Sequence, residues 1–580
     1  MAESQGNRRL RTAVTRYFWP PCVLLSLSAF AFAVAGAPAE RPLILRGAAI
    51  YTLNPRQPWA TALVISGERI AYVGNDAGAL ARGGKFARVI SLHGAMVLPG
   101  FHDGHAHPMS AGLRFLRCDL AGLKTAEQTY AAIRTCAATK ARKGWLIGHN
   151  WSPQAFPRGT NWRVKLDALV PNAAAYMAND NGYTARVNSR ALSAAAIDPE
   201  AAVPERDGLG RDPVTHKPSG VVSGAALERI HALLPKPSQA EYREALRHWM
   251  ALASGFGITS VFDASAKPTM LDAYHSADVA GELTVRVVAA QLVDAHLGPE
   301  QVDAFVAQRD RVRGHYFRAD AAKLFLDGEI AMRTAALLAS YAGMPATRGD
   351  LLFSAEKLNG IVQRLDADGF SIHMHAMGDR AVRAGLDAVE FAMRENGARD
   401  RRHQIAHAGV VDPADLLRFG KLGVAANLQP GWFQAGDPVM AETEAVLGPP
   451  RSGWIYPAAS IAKRGGRIVM SSDWPATSLN PLDNIQIAVT RQPLDGSRPA
   501  KRPEERIDLA TAIAAYTRNA AWVAREDGID GTIEVGKAAD LAVLDRNLFR
   551  TKPDMLHNAR VLLTLLAGKP VYRDPHFRWP

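Results

Sequence analysis

Apolar and polar positions divide this chain into three stretches of different rhythm. From about residue 42, LILRGAAIYTL, ATALVISGERIAYVG and ARVISLHGAMVLPG are short apolar runs broken at glycines, the pattern of strands joined by turns. GTIEVGKAADLAVLD and NARVLLTLLAGKPVYRD repeat that pattern near the C-terminus. Between the two ends, short apolar strands alternate with helical stretches. The strand candidates end near Phe101, Phe262, Ala290, Leu326, His375, His407, Ala426 and Asp473. Eight strands with intervening helices predict an α/β fold, a (β/α)8 TIM-like barrel. The two β-rich ends predict one small β-sandwich built from both chain ends. The expected organisation is a first sandwich part over 38–97, the barrel over 98–525 and a second sandwich part over 526–580. The gap between the first two strand candidates is far longer than one helix needs. An insertion is therefore expected over about 110–250, covering one side of the barrel mouth. A doubly wound open sheet is the competing architecture, but the chain has no glycine-rich phosphate loop to support it.

The first 37 residues follow a different logic. Arg8, Arg9, Arg11 and Arg16 precede an apolar run from Tyr17 to Ala33, and Ala35-Gly36-Ala37 follows. That order of basic leader, apolar segment and A-x-A site is the pattern of a secretory signal peptide. It implies export to the periplasm or beyond, with no stable membrane insertion after cleavage. The alternative is an uncleaved N-terminal anchor, since the apolar run approaches the length that spans a bilayer.

Composition narrows the function classes. With 48% hydrophobic and 21% charged positions over 580 residues, the chain can bury a large core. The net charge is +12, of which the leader carries +3. The rest is spread along the chain with no basic helix or aromatic-interleaved patch, which argues against a nucleic-acid partner. Cys118 and Cys136 remain once the leader is removed. In an exported protein they are candidates for one disulfide, with two free thiols as the alternative.

In a barrel of this kind, catalytic side chains sit at the C-terminal ends of the strands. Those positions hold His105 and His107 in GFHDGHAHP, Lys323 in AAKLFLDGE, His375 in SIHMHAMGD, His407 in HQIAHAG and Asp473 in RIVMSSDWP. Each residue alone has a structural alternative: a hydrogen-bonded histidine, a snorkelling lysine, an aspartate that caps a turn. Together they are four imidazoles and a carboxylate at one barrel mouth, donors suited to a divalent metal, with zinc indicated by ligand type.

This ordered set resembles the metal site of the amidohydrolase superfamily. The flanking segments KLFLDGEIAMRTA, HMHAMGDRAV, SSDWPATSLNPLDNIQIAVTR and GTIEVGKAADLAVLD are similar to the N-substituted formamide deformylase branch, amidohydrolase family 3. The resemblance runs from about residue 42 to the C-terminus. It implies that His105, His107 and Asp473 hold one metal and that His375 and His407 hold a second. Lys323 would bridge the two as a carboxylated lysine; an unmodified Lys323 with a single ion is the alternative. It further implies hydrolysis of an amide-type, non-peptide C–N bond in a small-molecule substrate, with Asp473 as the general base and then acid. A homodimer is compatible with the reading.

The chain also departs from that pattern. NGYTARVNS places Tyr183 where relatives have a histidine, IAHAG places Ala406 where they have an acid, and Glu329 stands where a serine is usual. Trp151, Asp327, Arg333, Arg380 and His403 match the family style. With Tyr183 and Glu329 they are candidates for binding substrate or supporting the ligands. Other chemistries on the same fold (deaminase, lactonase, isomerase) share these ligands, and a binding or regulatory homologue is a further alternative.

Overall fold

The computed structural model describes residues 41–151, 156, 160–179, 184–201, 208–436 and 438–578. The leader expected over 1–37 lies outside these residues. Among the described residues no helix is long and apolar enough to cross a membrane.

One sheet carries eight strands in chain order: β1 (Phe101–Ala106), β2 (Ile258–Ala266), β3 (Arg286–Leu292), β4 (Phe317–Phe325), β5 (Ser371–Ala376), β6 (Gln404–His407), β7 (Ala425–Leu428) and β8 (Ile468–Met470). Neighbouring strands pair in parallel, with Lys323 opposite His373 and His375 opposite Ala406. The outer edges meet where Asp473 N donates to His105 O (2.7 Å) and His107 N donates to Trp474 O (3.0 Å), closing the barrel. Helices cover its outside. The segment Asp379–Asn396 shows why they form: Val382, Gly385, Leu386, Val389 and Ala392 recur at three- and four-residue spacing and are all buried.

Strand β1 begins where the sequence pattern placed an end. The apolar segment Met96–Pro99 belongs to another sheet, and the chain crosses into the barrel at Gly100. A Cβ there would lie 2.1 Å from Thr259 Oγ1, so the crossing needs glycine. β1 itself reads as polar because ligands and their supports replace its apolar residues.

Both chain ends form the small sandwich. A four-stranded sheet (Leu43–Arg46, Ala62–Ser66, Arg69–Gly74, Arg88–Ser91) faces a six-stranded sheet that includes Met96–Pro99, Leu541–Leu544 and Val561–Leu566. Leu45, Leu63 and Ile65 pack with Val97, Leu541, Val543 and Leu563 between them.

The insertion after β1 is a lobe with its own six-stranded sheet and its own apolar cores. A Cys118–Cys136 disulfide ties its edge strand Cys118–Asp119 to the helix Ala126–Thr139. The expected insertion ran to about 250, but the helix Gln239–Gly255 belongs to the barrel. Its Leu246, Trp249 and Ala253 are buried in the main core.

A buried charged cluster closes the base of the barrel, at the opposite end from the β-strand C-termini. His102 lies between two carboxylates: Nδ1 is 3.7 Å from Glu526 and Nε2 is 3.1 Å from Asp530. Arg286 Nε pairs with Asp540 at 2.7 Å, and Arg318 reaches Glu526 at 3.4 Å. Burial opposes charging His102, but Asp530 and Glu526 outweigh it and raise its pKa. A raised pKa stabilises the fold fully below the ordinary value near 6.5 and loses that contribution as pH climbs through the raised value. Replacing His102 with glutamine leaves two buried carboxylates short of a counter-charge, a change that costs about 3–5 kcal/mol. Urea unfolding of both proteins at several pH values checks this: the wild-type advantage should be largest at acid pH and shrink as pH rises.

Candidate metal centre

At the other end of the barrel the six sequence-selected residues come together. His105 and His107 are two residues apart on β1 and its exit, so strand periodicity sends both imidazoles the same way. Their Nε2 atoms lie 3.3 and 3.2 Å from the same oxygen, Oδ1 of Asp473. The His407 ring lies 5.0 Å from that of His105 and 4.6 Å from that of His375. One ligand atom each from His105, His407 and Asp473 falls within 4.8 Å of the others. Lys323 is 1% exposed, and its Nζ lies 4.6 Å from the Phe325 ring, which itself lies 5.1 Å from His375.

The local backbone explains why these residues converge. Gly104 separates the ligands because a Cβ there would sit 2.6 Å from Val469 Cγ1 and 3.2 Å from Asn427 Nδ2. His407, Ala408 and Asp473 adopt left-handed backbone, with φ of 70°, 42° and 48°. Such conformations cost about 1–3 kcal/mol each and persist only where surrounding structure imposes them. Here Val410 N donates to Met377 O (2.8 Å) and Asp473 N to His105 O (2.7 Å), holding the turns.

The electrostatics suit a cation. Burial lowers His105 to about 4 and His375 to about 3, with Lys323 adding to both, and it holds His407 well below its ordinary value. Neutral imidazoles have a free lone pair, which metal ligation requires. Burial would raise Asp473, yet His105 and His107 hold it well below the usual carboxylate range. Lys323 falls to about 8 because it is buried, against the pull of Asp473 and Glu329. Nitrogen and oxygen donors, neutral or anionic and shielded from water, fit a divalent metal ion. The base cluster of His102, Glu526 and Asp530 is equally compact, but its chemistry differs. There the two nitrogens of one ring face two different carboxylates, the arrangement of an imidazolium rather than of a ligand set.

Supporting residues missed in the sequence surround the ligands. Asp103 accepts from Ser472 N (2.9 Å), from Ser472 Oγ and from His105 N (3.3 Å), tying β1 to the Asp473 turn. His407 Nδ1 meets Gln429 Oε1 at 2.9 Å; Gln429 Nε2 donates to Ser471 Oγ (2.8 Å), and Asn427 Nδ2 to Gly104 O (2.8 Å). His373, two residues before His375, touches His105. Its H-x-H spacing in HMHAMGD was the one available signal. Half-buried aromatic rings form the walls: Trp432 is 5.6 Å from His407, and Trp474, next to Asp473, stacks on Phe115.

The remaining sequence candidates separate. Glu329 is exposed to the mouth, and its burden of enclosing protein together with Asp473 pushes its carboxyl up to about 7. Asp327 instead accepts from Ala336 N (2.9 Å), Met377 N (3.0 Å) and Gly378 N (2.8 Å), bracing the loop after β4 against that after β5. Saturated in this way, it is a support rather than a substrate contact. Arg333 pairs with Glu442 (3.1 Å) and Arg380 donates to Gly349 O (3.1 Å), and both line a cavity behind the β4 loop. Trp151 is packed in the inserted lobe under the Arg186 guanidinium, 4.0 Å away. His403 does not reach the mouth. It precedes β6, bonds Asp366 at 3.2 Å and accepts from Ile372 N, at the strand's opposite end. Tyr183 lies outside the described residues.

Comparisons with known proteins identify the family. The model of the amidohydrolase family (Amidohydro_3) matches residues 88–572. The chain is 27% identical to Protein LONG AFTER FAR-RED 3 of Arabidopsis thaliana, covering 91% of each chain. It is 26% identical to the N-substituted formamide deformylase of Arthrobacter pascens, over 91% of this chain and 98% of that one. A metal-dependent hydrolase from Pyrococcus furiosus superposes with a TM-score of 0.71 at 25% identity, covering 87% of this chain and 99% of the other. A closed eight-stranded barrel with this donor set at its mouth, matched along most of its length by one family, makes this chain a metal-dependent hydrolase of the amidohydrolase family.

Proposed function

We propose that this protein hydrolyses an amide-type, non-peptide C–N bond of a small molecule, using zinc held by His105, His107, His375, His407 and Asp473. In this reading Lys323, once carboxylated, would join them as a further anionic ligand. The observation that carries it is the convergence of His105, His407 and Asp473, whose ligand atoms lie within 4.8 Å of one another, with His107, His375 and Lys323 beside them. A divalent ion held by these residues would supply activated water at neutral pH and polarise a carbonyl. Asp473 keeps an ionised carboxylate beside two imidazoles, so it can take a proton from the attacking water and return it to the leaving nitrogen. Trp432, Trp474 and Phe325 exclude water around the reacting bond. Glu329, open to the mouth, sets this pocket apart from the formamide pattern, and Ala406, buried opposite His375, takes the place of an acid beside that ligand. N-acyl and cyclic amides are therefore as much in view as formamides. Export to an oxidising compartment is part of the same proposal, supported by the leader and by the Cys118–Cys136 disulfide.

The test is a panel of N-formyl, N-acyl and cyclic amides assayed with zinc-loaded protein, with His105→Ala as the blank. We expect turnover of at least one class by the wild type and none by the variant. No turnover across the panel by protein of verified zinc content overturns C–N hydrolysis.

A further inference from the structure

We propose that His373 is a positioning residue for the metal centre: its Nε2 accepts the Nδ1 proton of His105 and so holds His105 in the tautomer whose Nε2 is free to ligate a divalent cation. The two nitrogens are 2.9 Å apart, with the rings 4.7 Å apart and tilted by 65°. The rest is tautomer chemistry. A neutral imidazole carries one proton, and Nε2 of His105 is the atom that faces Asp473. Ligation through Nε2 therefore leaves the proton on Nδ1, where it needs an acceptor. Among the described residues, His373 Nε2 is the partner found there.

His373 is built for that task. It stands two residues before His375 on β5, so both rings enter the barrel, with His373 one step deeper. It is 0% exposed and stacks on Phe262 at 5.0 Å and 30°, which fixes its ring plane. When its Nε2 accepts, the one proton of a neutral His373 sits on Nδ1; the residue paired with His373 on β6 is Gln404. Gln404 Oε1 accepts from Asn427 Nδ2 (2.8 Å), and Asn427 leads through Ser471 and Gln429 to His407. Buried polar partners thus reach the far nitrogens of two ligands, His373 that of His105 and Gln429 that of His407. Such outer partners orient a ligating histidine and raise its basicity.

The experiment measures zinc affinity of metal-free protein by competition with a chromophoric chelator, independently of catalysis. His373→Leu removes the acceptor at similar volume, whereas His373→Gln can restore one through Oε1. We expect the leucine variant to bind zinc about 10–100-fold more weakly, with glutamine recovering most of that loss. Equal affinity of wild type and His373→Leu overturns the proposal, as does equal weakening by leucine and glutamine, which would make the role one of packing. A second reading needs no folded variant. In zinc-loaded wild type the nitrogen spectrum should show a hydrogen-bond coupling between His105 Nδ1 and His373 Nε2 with the proton on His105, and its absence, or a proton on His373 Nε2, overturns the proposal. The inference rests on the zinc-centre reading, and the two fail differently. Wild type that binds no zinc sinks the centre itself, while wild type and leucine variant binding zinc alike sink only the role of His373.

Discussion

Asp473→Asn is expected to lower kcat by about 10²–10⁴-fold on any amide the protein turns over, the range for removing a positioned general base. The asparagine keeps the size of the side chain and one oxygen facing His105 and His107, so the backbone turn at φ 48° and its bond to His105 O should persist. What disappears is the negative charge that two imidazoles now hold well below the usual carboxylate range. Without it the attacking water loses the carboxylate assigned as its proton acceptor. At about 1.4 kcal/mol per tenfold, the loss corresponds to roughly 3–5 kcal/mol of barrier. Steady-state kinetics with zinc content measured on the same samples separates two effects. A fall in kcat at unchanged zinc marks a proton-transfer role, and a fall in proportion to zinc marks Asp473 as a ligand only. A variant with wild-type kcat removes Asp473 from the chemistry.

The second large effect concerns Lys323. Carboxylation joins a neutral amine to carbon dioxide, forming the N–C bond and releasing one proton, so the protonated amine is inert. Burial lowers Lys323 to about 8. At pH 8.5 most of it is neutral, against a few per cent at pH 6.5, a difference of roughly 20-fold, whereas an ordinary lysine near 10.4 would be almost wholly protonated at both. Metal-free protein given zinc and bicarbonate should therefore regain activity much faster at pH 8.5 than at 6.5. Omitting bicarbonate should slow it. Lys323→Gln should show neither dependence and should hold about one equivalent of zinc instead of two, because the bridging anion is gone. Recovery indifferent to bicarbonate, with two equivalents still bound by Lys323→Gln, would establish an unmodified lysine outside the ligand set.

The elements that were legible in advance share one property: their information is local. β3, with its run RVVAAQL, and the helix Asp379–Asn396 declare themselves through apolar spacing, because a fully buried strand and a one-sided helix leave different periodicities in a chain. The misread elements are those where function overrides that spacing. β1 is FHDGHA, too polar to resemble a core strand, and its start was mistaken for an end. The helix Gln239–Gly255 was assigned to the insertion because nothing in its own residues says which core Trp249 will enter.

The same division runs through the metal centre. The order of His105, His107, Lys323, His375, His407 and Asp473 was readable because each ligand sits at the end of a strand or on its exit, a place local pattern can locate. The partners of those ligands were not readable. Asp103 meets Ser472, and His373 meets His105, across 369 and 268 residues of chain. Both contacts exist only because the barrel closes and its stagger sets which rungs face one another. Sequence neighbourhood also misled: Asp327 and Glu329 are two residues apart, yet one is spent on three backbone amides while the other opens to the mouth. By itself, then, the chain determined its strands, its helices and the donor types that a cation requires, since these follow from residue chemistry and short-range periodicity. Tertiary closure alone decided which partner each imidazole meets, which carboxylate stays free and which histidine is braced at the base, since those depend on atoms brought within hydrogen-bond reach from distant parts of the chain.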